Sequence, residues 1–315
     1  MEEDNKKKTW WQKLDEPFQS KKIEMAVTVA IWVMIAAVTI PVLHLGRRVF
    51  ISDRFIVKGG SMYPTLMTGQ AIMLRKYIMG PRIYTSFNFN EGEPLKCRRL
   101  PGYRKIRTGD IAVFNSPEGW GRQDRITFEI NYVYAKRCLG AAGDTIGIKN
   151  SHYYSSGNQQ TGIPEERESL LRSLPDSSLR QNWVLDAGYF AEEQQNWTIK
   201  DFGPIVVPAK GMTIVLDSIN TAHYAKVIEY EVGVRPVWSD GQTHLNGRQV
   251  NHYSFRENYC FFVGDNIVDS RDCRYFGFVP EDFVVGIIKV PRDLERSLRQ
   301  GSRAKKKKKN EYSCK

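Results

Sequence analysis

The sequence predicts a mainly β domain that follows a single amino-terminal membrane-spanning helix. Three observations point there. Met25 to Leu45 runs 21 residues without a formal charge, enough at about 1.5 Å per residue to cross a hydrocarbon core of about 30 Å. Beyond it, short runs of β-branched and aromatic residues alternate with turn signals, and one stretch reads as helix. The 315 residues, 41% hydrophobic and 12% aromatic, suffice for one large or two modest packed domains.

In chain order, residues 1–24 form a short segment whose six lysines favour an inside amino terminus, although Arg47 and Arg48 follow the span. The apolar run 25–45 is too long for a cleavable signal peptide and lacks an Ala-x-Ala exit. Strand candidates follow at Phe55–Val57, Ala71–Leu74, Asp110–Phe114, Tyr132–Tyr134, Ile205–Val207, Thr213–Leu216, Tyr259–Val263 and Phe283–Ile288. Gly109-Asp110 and Asn246-Gly247 supply turns. Pro164 to Leu174, with Glu165 and Glu166 at its start, suits a helix. Residues 46–295 therefore read as one β-rich region, interrupted around 151–202 by a polar and irregular insertion. Residues 296–315 read as a disordered basic tail. No second apolar run of comparable length and no internal repeat occurs.

The net charge of +11 is concentrated: residues 296–315 hold nine Lys or Arg against Glu311, about +8 of the total. The stretch Arg75 to Arg107 is basic and the region 151–240 is acidic. A local tail and a dipolar surface suit anionic lipid head groups; no aromatic-interleaved basic surface calls for a nucleic acid. The five cysteines lack zinc-ligand spacing, and an odd number excludes a fully paired scaffold. Cys260 and Cys273 read as buried small hydrophobes, whereas a pairing of Cys97 stays open.

The chemistry-bearing residues begin with Gly60-Ser61-Met62-Tyr63-Pro64-Thr65, in which Ser61 lies 16 positions after the span. A serine hydroxyl needs a base within hydrogen-bond reach. His44 falls in the span, and His152, His223, His244 and His252 sit outside any triad motif, which leaves a Ser-Lys arrangement. Downstream lie Tyr134-Ala135-Lys136-Arg137, then Gly140 and Gly143-Asp144. A third group comprises Gly264-Asp265-Asn266, Ser270, Asp272, Arg274-Tyr275 and Gly277-Phe278-Val279-Pro280. Together these runs resemble bacterial type I signal peptidase, a Ser/Lys protease family, over most of residues 25–150 and 203–290. Alone, Lys136 reads as a surface lysine. On a strand Asn131–Leu139 it shares a face with Tyr132, Tyr134 and Cys138, which would desolvate the amine without offering a carboxylate.

The resemblance implies a signal-peptidase-like catalytic β domain, with Ser61 as nucleophile, Lys136 as base and Ser270 orienting the lysine. It implies an Asp272–Arg274 ion pair bracing the loop; the alternative is a solvated pair of little energetic weight. Asp265 and Asn266 would shape the site floor. Phe55, Val57, Met62 and Ala135 match positions lining shallow pockets for small residues at −1 and −3. The Ser61 N–H is the first oxyanion donor. Gly59 stands where some members carry a hydroxyl, so the second donor is open between a backbone group and water. Lys58, Ala142 and Cys273 also depart from the common pattern without removing a proton-transfer group. The implied substrates are signal-peptide-bearing precursors, cut at the outer face of the bacterial cytoplasmic membrane by a single-pass enzyme needing no cofactor or metal. The alternative is a catalytically inactive, membrane-anchored binding protein of the same fold.

Overall fold

The computed structural model describes residues 21–88, 95–119, 124–158, 160–190 and 197–289. The basic tail and most of the amino-terminal segment thus lie outside the described residues. The chain divides into two compact units, one ending at Val49 and the other starting at Phe50.

The first unit contains the helix Lys21–Gly46, and five residues of π-helix, Arg47–Ile51, continue it across the boundary. From Ile23 to Ile51 it is 29 residues long, with a mean hydropathy of 2.4 in its most apolar window and none of that window buried. By length and composition it can cross a membrane. Pro41 lies within the helix, and Thr39 donates its hydroxyl to the Ile35 carbonyl at 2.8 Å, a local bond that suits an apolar surrounding.

The second unit is built on a seven-stranded antiparallel sheet. Across the sheet the strands are Ser52–Ile56, Ala71–Arg75, Val284–Ile288, Ile111–Ser116, Glu129–Gly140, Tyr259–Val263 and Val279–Pro280. The strand nearest the carboxy terminus of the sheet thus inserts between two early ones. Two apolar clusters result. The larger gathers Phe114, Cys138, Phe261, Phe262, Phe276 and Phe278 with many others. The smaller holds Val57, Met62, Leu66, Ile72, Leu74, Ile111, Val113 and Ile288. Asn246 and Gly247 both take positive φ, 53° and 74°, as a two-residue turn between Gln242–Leu245 and Arg248–Gln249 requires.

Two local expectations change. The described part of residues 151–202 is not irregular. His152–Ser155 and Phe202–Val206 flank Thr145–Lys149 in a three-stranded sheet, and two helices, Glu165–Ser173 and Asp176–Gln181, follow Pro164 and Pro175. Tyr153, Leu171, Leu179, Leu185, Ala187 and Ile199 are buried in the larger cluster. Their irregular spacing hides them, because they come from one short strand, two short helices and the connecting segments. Helices Ser218–His223 and Ala225–Val232 were also not anticipated. Their signals are present: Asp217 caps the first by accepting from the Asn220 N–H at 2.7 Å, and Gly233 closes the second at φ +76°.

Candidate active site

Lys136 sits on the long strand Glu129–Gly140, paired with Ala112 on one side. Alternation sends Lys136 and Arg137 to opposite faces. Lys136 is 1% exposed. Its Nζ donates to Ser270 Oγ at 3.0 Å and lies 5.5 Å from the centre of the Tyr134 ring. Tyr134 is itself held between Phe114 and Phe276, at centroid distances of 5.9 and 5.8 Å. Burial is the main force on the amine and draws its pKa from 10.5 to about 8, against an opposing pull from Asp272. The expected desolvating face is therefore only partly right. Tyr132 is half exposed, and a carboxylate does stand one hydroxyl away.

That carboxylate anchors the loop behind the lysine. Ser270 Oγ donates to Asp272 Oδ2 at 2.7 Å, and the Gly264 N–H donates to the same oxygen at 2.9 Å. Arg274 donates to Asp272 through Nε and Nη2, both at 2.8 Å. Both partners are fully buried, so this pair is no surface ornament; unpairing either charge there would cost about 3–5 kcal/mol. Burial alone would raise the Asp272 pKa, but Arg274, Lys136 and the Ser270 hydroxyl outweigh it and hold the carboxyl below its ordinary value. Arg274 Nη1 donates to Tyr153 Oη at 2.8 Å, and Tyr153 Oη in turn donates to the Ile199 carbonyl at 3.2 Å. A continuous polar chain thus runs from Lys136 into the segment read as an insertion.

Ser61 lies in a compact turn, in which the Tyr63 N–H donates to the Gly60 carbonyl at 3.0 Å and the Leu66 N–H to the Met62 carbonyl at 2.9 Å. The turn is tied down from the other side of the long strand. Arg137 grips Asp265 through Nε and Nη2 at 2.7 and 2.6 Å, and the Thr65 hydroxyl donates to the same carboxylate. The Asn266 N–H donates to the Ser61 carbonyl at 3.0 Å. Gly264 is the hinge of this convergence. A Cβ on it would lie 2.1 Å from Ser270 Oγ and 2.5 Å from the Ser61 carbonyl oxygen, so only glycine lets the serine turn and the lysine's partner approach together.

Phe55, Val57, Met62 and Ala135 all belong to the smaller apolar cluster, Val57 and Met62 buried within it and the other two packed on it. Gly59 is exposed, with open space where a side chain would stand. Cys97, Cys138, Cys260 and Cys273 are free thiols, and Cys260 and Cys273 are buried. Sequence reasoning missed Thr65 and Tyr153 as supports and gave Arg137 no role. Arg137 could have been noticed as a charge directly preceding the apolar pair Cys138-Leu139 near the end of its strand. The partnership of Arg274 with Tyr153 spans 121 positions and leaves no local signature.

A family model described as signal peptidase, peptidase S26, matches residues 26–292. The chain belongs to this family. It is a serine hydrolase. The chain is 26% identical over 250 residues to signal peptidase I of Buchnera aphidicola subsp. Acyrthosiphon pisum, covering 76% of this chain and 67% of that protein. It is 27% identical over 250 residues, with the same coverage, to signal peptidase I of Buchnera aphidicola subsp. Schizaphis graminum. To signal peptidase I P of Bacillus subtilis subsp. natto it is 28% identical over 173 residues, 55% of this chain and 65% of that one.

Proposed function

We propose that this S26 peptidase is a membrane-anchored endopeptidase that removes signal peptides from exported precursors, using Ser61 as nucleophile and Lys136 as general base. The observation that carries the reading is the environment of Lys136. Its amine is buried, bonded to the neutral hydroxyl of Ser270, and drawn to a pKa of about 8 by burial. About a tenth of the amine is therefore uncharged at pH 7 and about half at pH 8, against well under a thousandth at pH 7 for an ordinary lysine, so it is able to take a proton. In the reaction Ser61 Oγ attacks the scissile carbonyl and its proton passes to Lys136. The ammonium then returns the proton to the departing amine, and water, activated by the same amine, releases the acyl group. Ser270, fixed by Asp272, keeps the lysine aimed.

The smaller apolar cluster supports selection of small residues at −1 and −3. An extended precursor segment laid beside Phe55 to Gly59 and Val133 to Lys136 would send alternate side chains into the wall formed by Phe55, Val57, Met62 and Ala135. The apolar helix would anchor the chain in the cytoplasmic membrane, with the amino terminus inside and the catalytic unit on the outer face. Detergent-solubilised protein incubated with a precursor bearing an Ala-x-Ala site tests the reading. Cleavage at that site, abolished by Ser61→Ala and by Lys136→Ala, is expected. Near-normal turnover by either purified variant would remove the Ser/Lys mechanism.

A further inference from the structure

Asn266 touches the nucleophile turn twice. Its backbone N–H donates to the Ser61 carbonyl at 3.0 Å, and its side-chain Nδ2 donates to the Gly60 carbonyl at 3.0 Å and to Asp269 Oδ2 at 3.3 Å. The orientation of this amide is forced. A flipped amide would set Oδ1 against two acceptors, the Gly60 carbonyl and the Asp269 carboxylate. The amide therefore keeps its donor on Gly60, although this leaves Oδ1 buried and without a hydrogen-bond partner among the described residues. Folded proteins rarely leave a buried acceptor unmatched. Here the unmatched oxygen accompanies a bond aimed at one particular peptide.

That peptide joins Gly60 to Ser61. In a planar trans peptide the C=O and the following N–H point in opposite directions. Holding the Gly60 oxygen on Asn266 therefore turns the Ser61 N–H away from the loop Gly264–Asp269. The Ser61 N–H makes no hydrogen bond to any described residue, and Ser61 is only partly buried. This donor is thus directed and unspent, which is what stabilisation of charge developing on a substrate oxygen requires.

We propose that Asn266 is a positioning residue that locks the Gly60–Ser61 peptide plane, so that the Ser61 N–H is preset to receive the oxyanion. The inference rests on the reading of Ser61 as nucleophile. The Tyr63 N–H, from within the turn, also donates to the Gly60 carbonyl at 3.0 Å. Asn266 is the side chain that ties the same oxygen to the Gly264–Asp269 loop, in a chain whose Gly59 offers no hydroxyl to share the task. Without the Asn266 amide, only the turn's own Tyr63 N–H holds the Gly60 carbonyl, and the peptide plane must be fixed more fully at the moment of attack.

The test uses the full chain in detergent with variants Asn266→Asp and Asn266→Ala, and Ser61→Ala alongside. Asp is isosteric but sets a carboxylate against the Gly60 and Asp269 oxygens; Ala removes the donor without adding charge. Expected is a fall in kcat of about tenfold or more, bounded by the 10²–10³ lost when an oxyanion donor itself is removed. KM should stay within about twofold, and in Asn266→Ala, which adds no charge, the rising limb of the pH profile should not move, because Lys136 and Ser270 are untouched. The carboxylate of Asn266→Asp, beside Asp269, would push that limb up if it moves it at all. A peptide boronate, which forms a tetrahedral adduct on serine, should lose affinity by the same factor, while the matching peptide carboxamide binds unchanged. Equal losses for boronate and carboxamide, an unchanged kcat, or failure of both variants to fold would each overturn the proposal. Cleavage by Ser61→Ala equal to that of the unsubstituted protein would instead overturn the underlying reading of the nucleophile.

Discussion

Lys136 shows how one residue sets a conflict between stability and chemistry. Its folded pKa of about 8 lies below the ordinary 10.5 because burial penalises the ammonium. The sign follows directly: the cost is absent above the unfolded value, grows as pH falls from 10.5 towards 8, and is fully present below about 8. The gap corresponds to about 3 kcal/mol. Lys136→Met, similar in volume and uncharged, should therefore abolish cleavage yet unfold no more easily than the natural chain at pH 7. A gain of about 1–3 kcal/mol is expected once the lost bond to Ser270 is counted, and the gain should shrink towards pH 10. Denaturation at pH 7 and 9.5 checks this; a variant clearly less stable at pH 7 would show that the amine is not under strain. The identity of this residue was legible in the sequence because Lys136 and Ser61 each lie in a recognisable run. Its partner Ser270 was legible only through the resemblance, since it lies 134 positions away. The depth of the lysine's burial was not legible, because it is set by side chains from several separate elements.

At the scale of elements, the strands were the legible part. Their β-branched and aromatic runs mark them, and the helix Glu165–Ser173 was visible from Pro164 and its acidic first turn. The rest of residues 151–202 was hidden because its buried side chains are scattered over elements of three to nine residues, too short for any period to show. The segment is nevertheless part of the site's support. Arg167 lies 5.6 Å from the centre of the Tyr63 ring, beside the serine turn, and Tyr153 receives a hydrogen bond from the buried Arg274. Tyr153→Phe keeps the packing but leaves an Arg274 N–H and the Ile199 carbonyl short of a partner. It should cost about 1–3 kcal/mol in stability, with kcat reduced far less than in Ser270→Ala, because Asp272 still holds Ser270 directly. Equal kinetic losses in the two variants would mean that the segment steers the lysine rather than bracing the loop behind it.

At the scale of the molecule, the site forms where distant parts of the chain meet on one sheet: the serine turn after its first strand, Lys136 on its long strand, and the Gly264–Arg274 loop after Tyr259–Val263. Each alone is ordinary. Gly264, with room for nothing larger than hydrogen, lets them close together. The central claim, that a neutral buried lysine activates Ser61, makes the pH dependence of kcat/KM on an Ala-x-Ala precursor the most direct measurement. The account predicts a rate that rises about tenfold per pH unit below a single midpoint near 8 and then levels, with Lys136→Ala and Ser61→Ala inactive throughout. A rising limb centred near 6.5, where histidines ordinarily titrate, or residual activity that keeps the limb in Lys136→Ala, would contradict it.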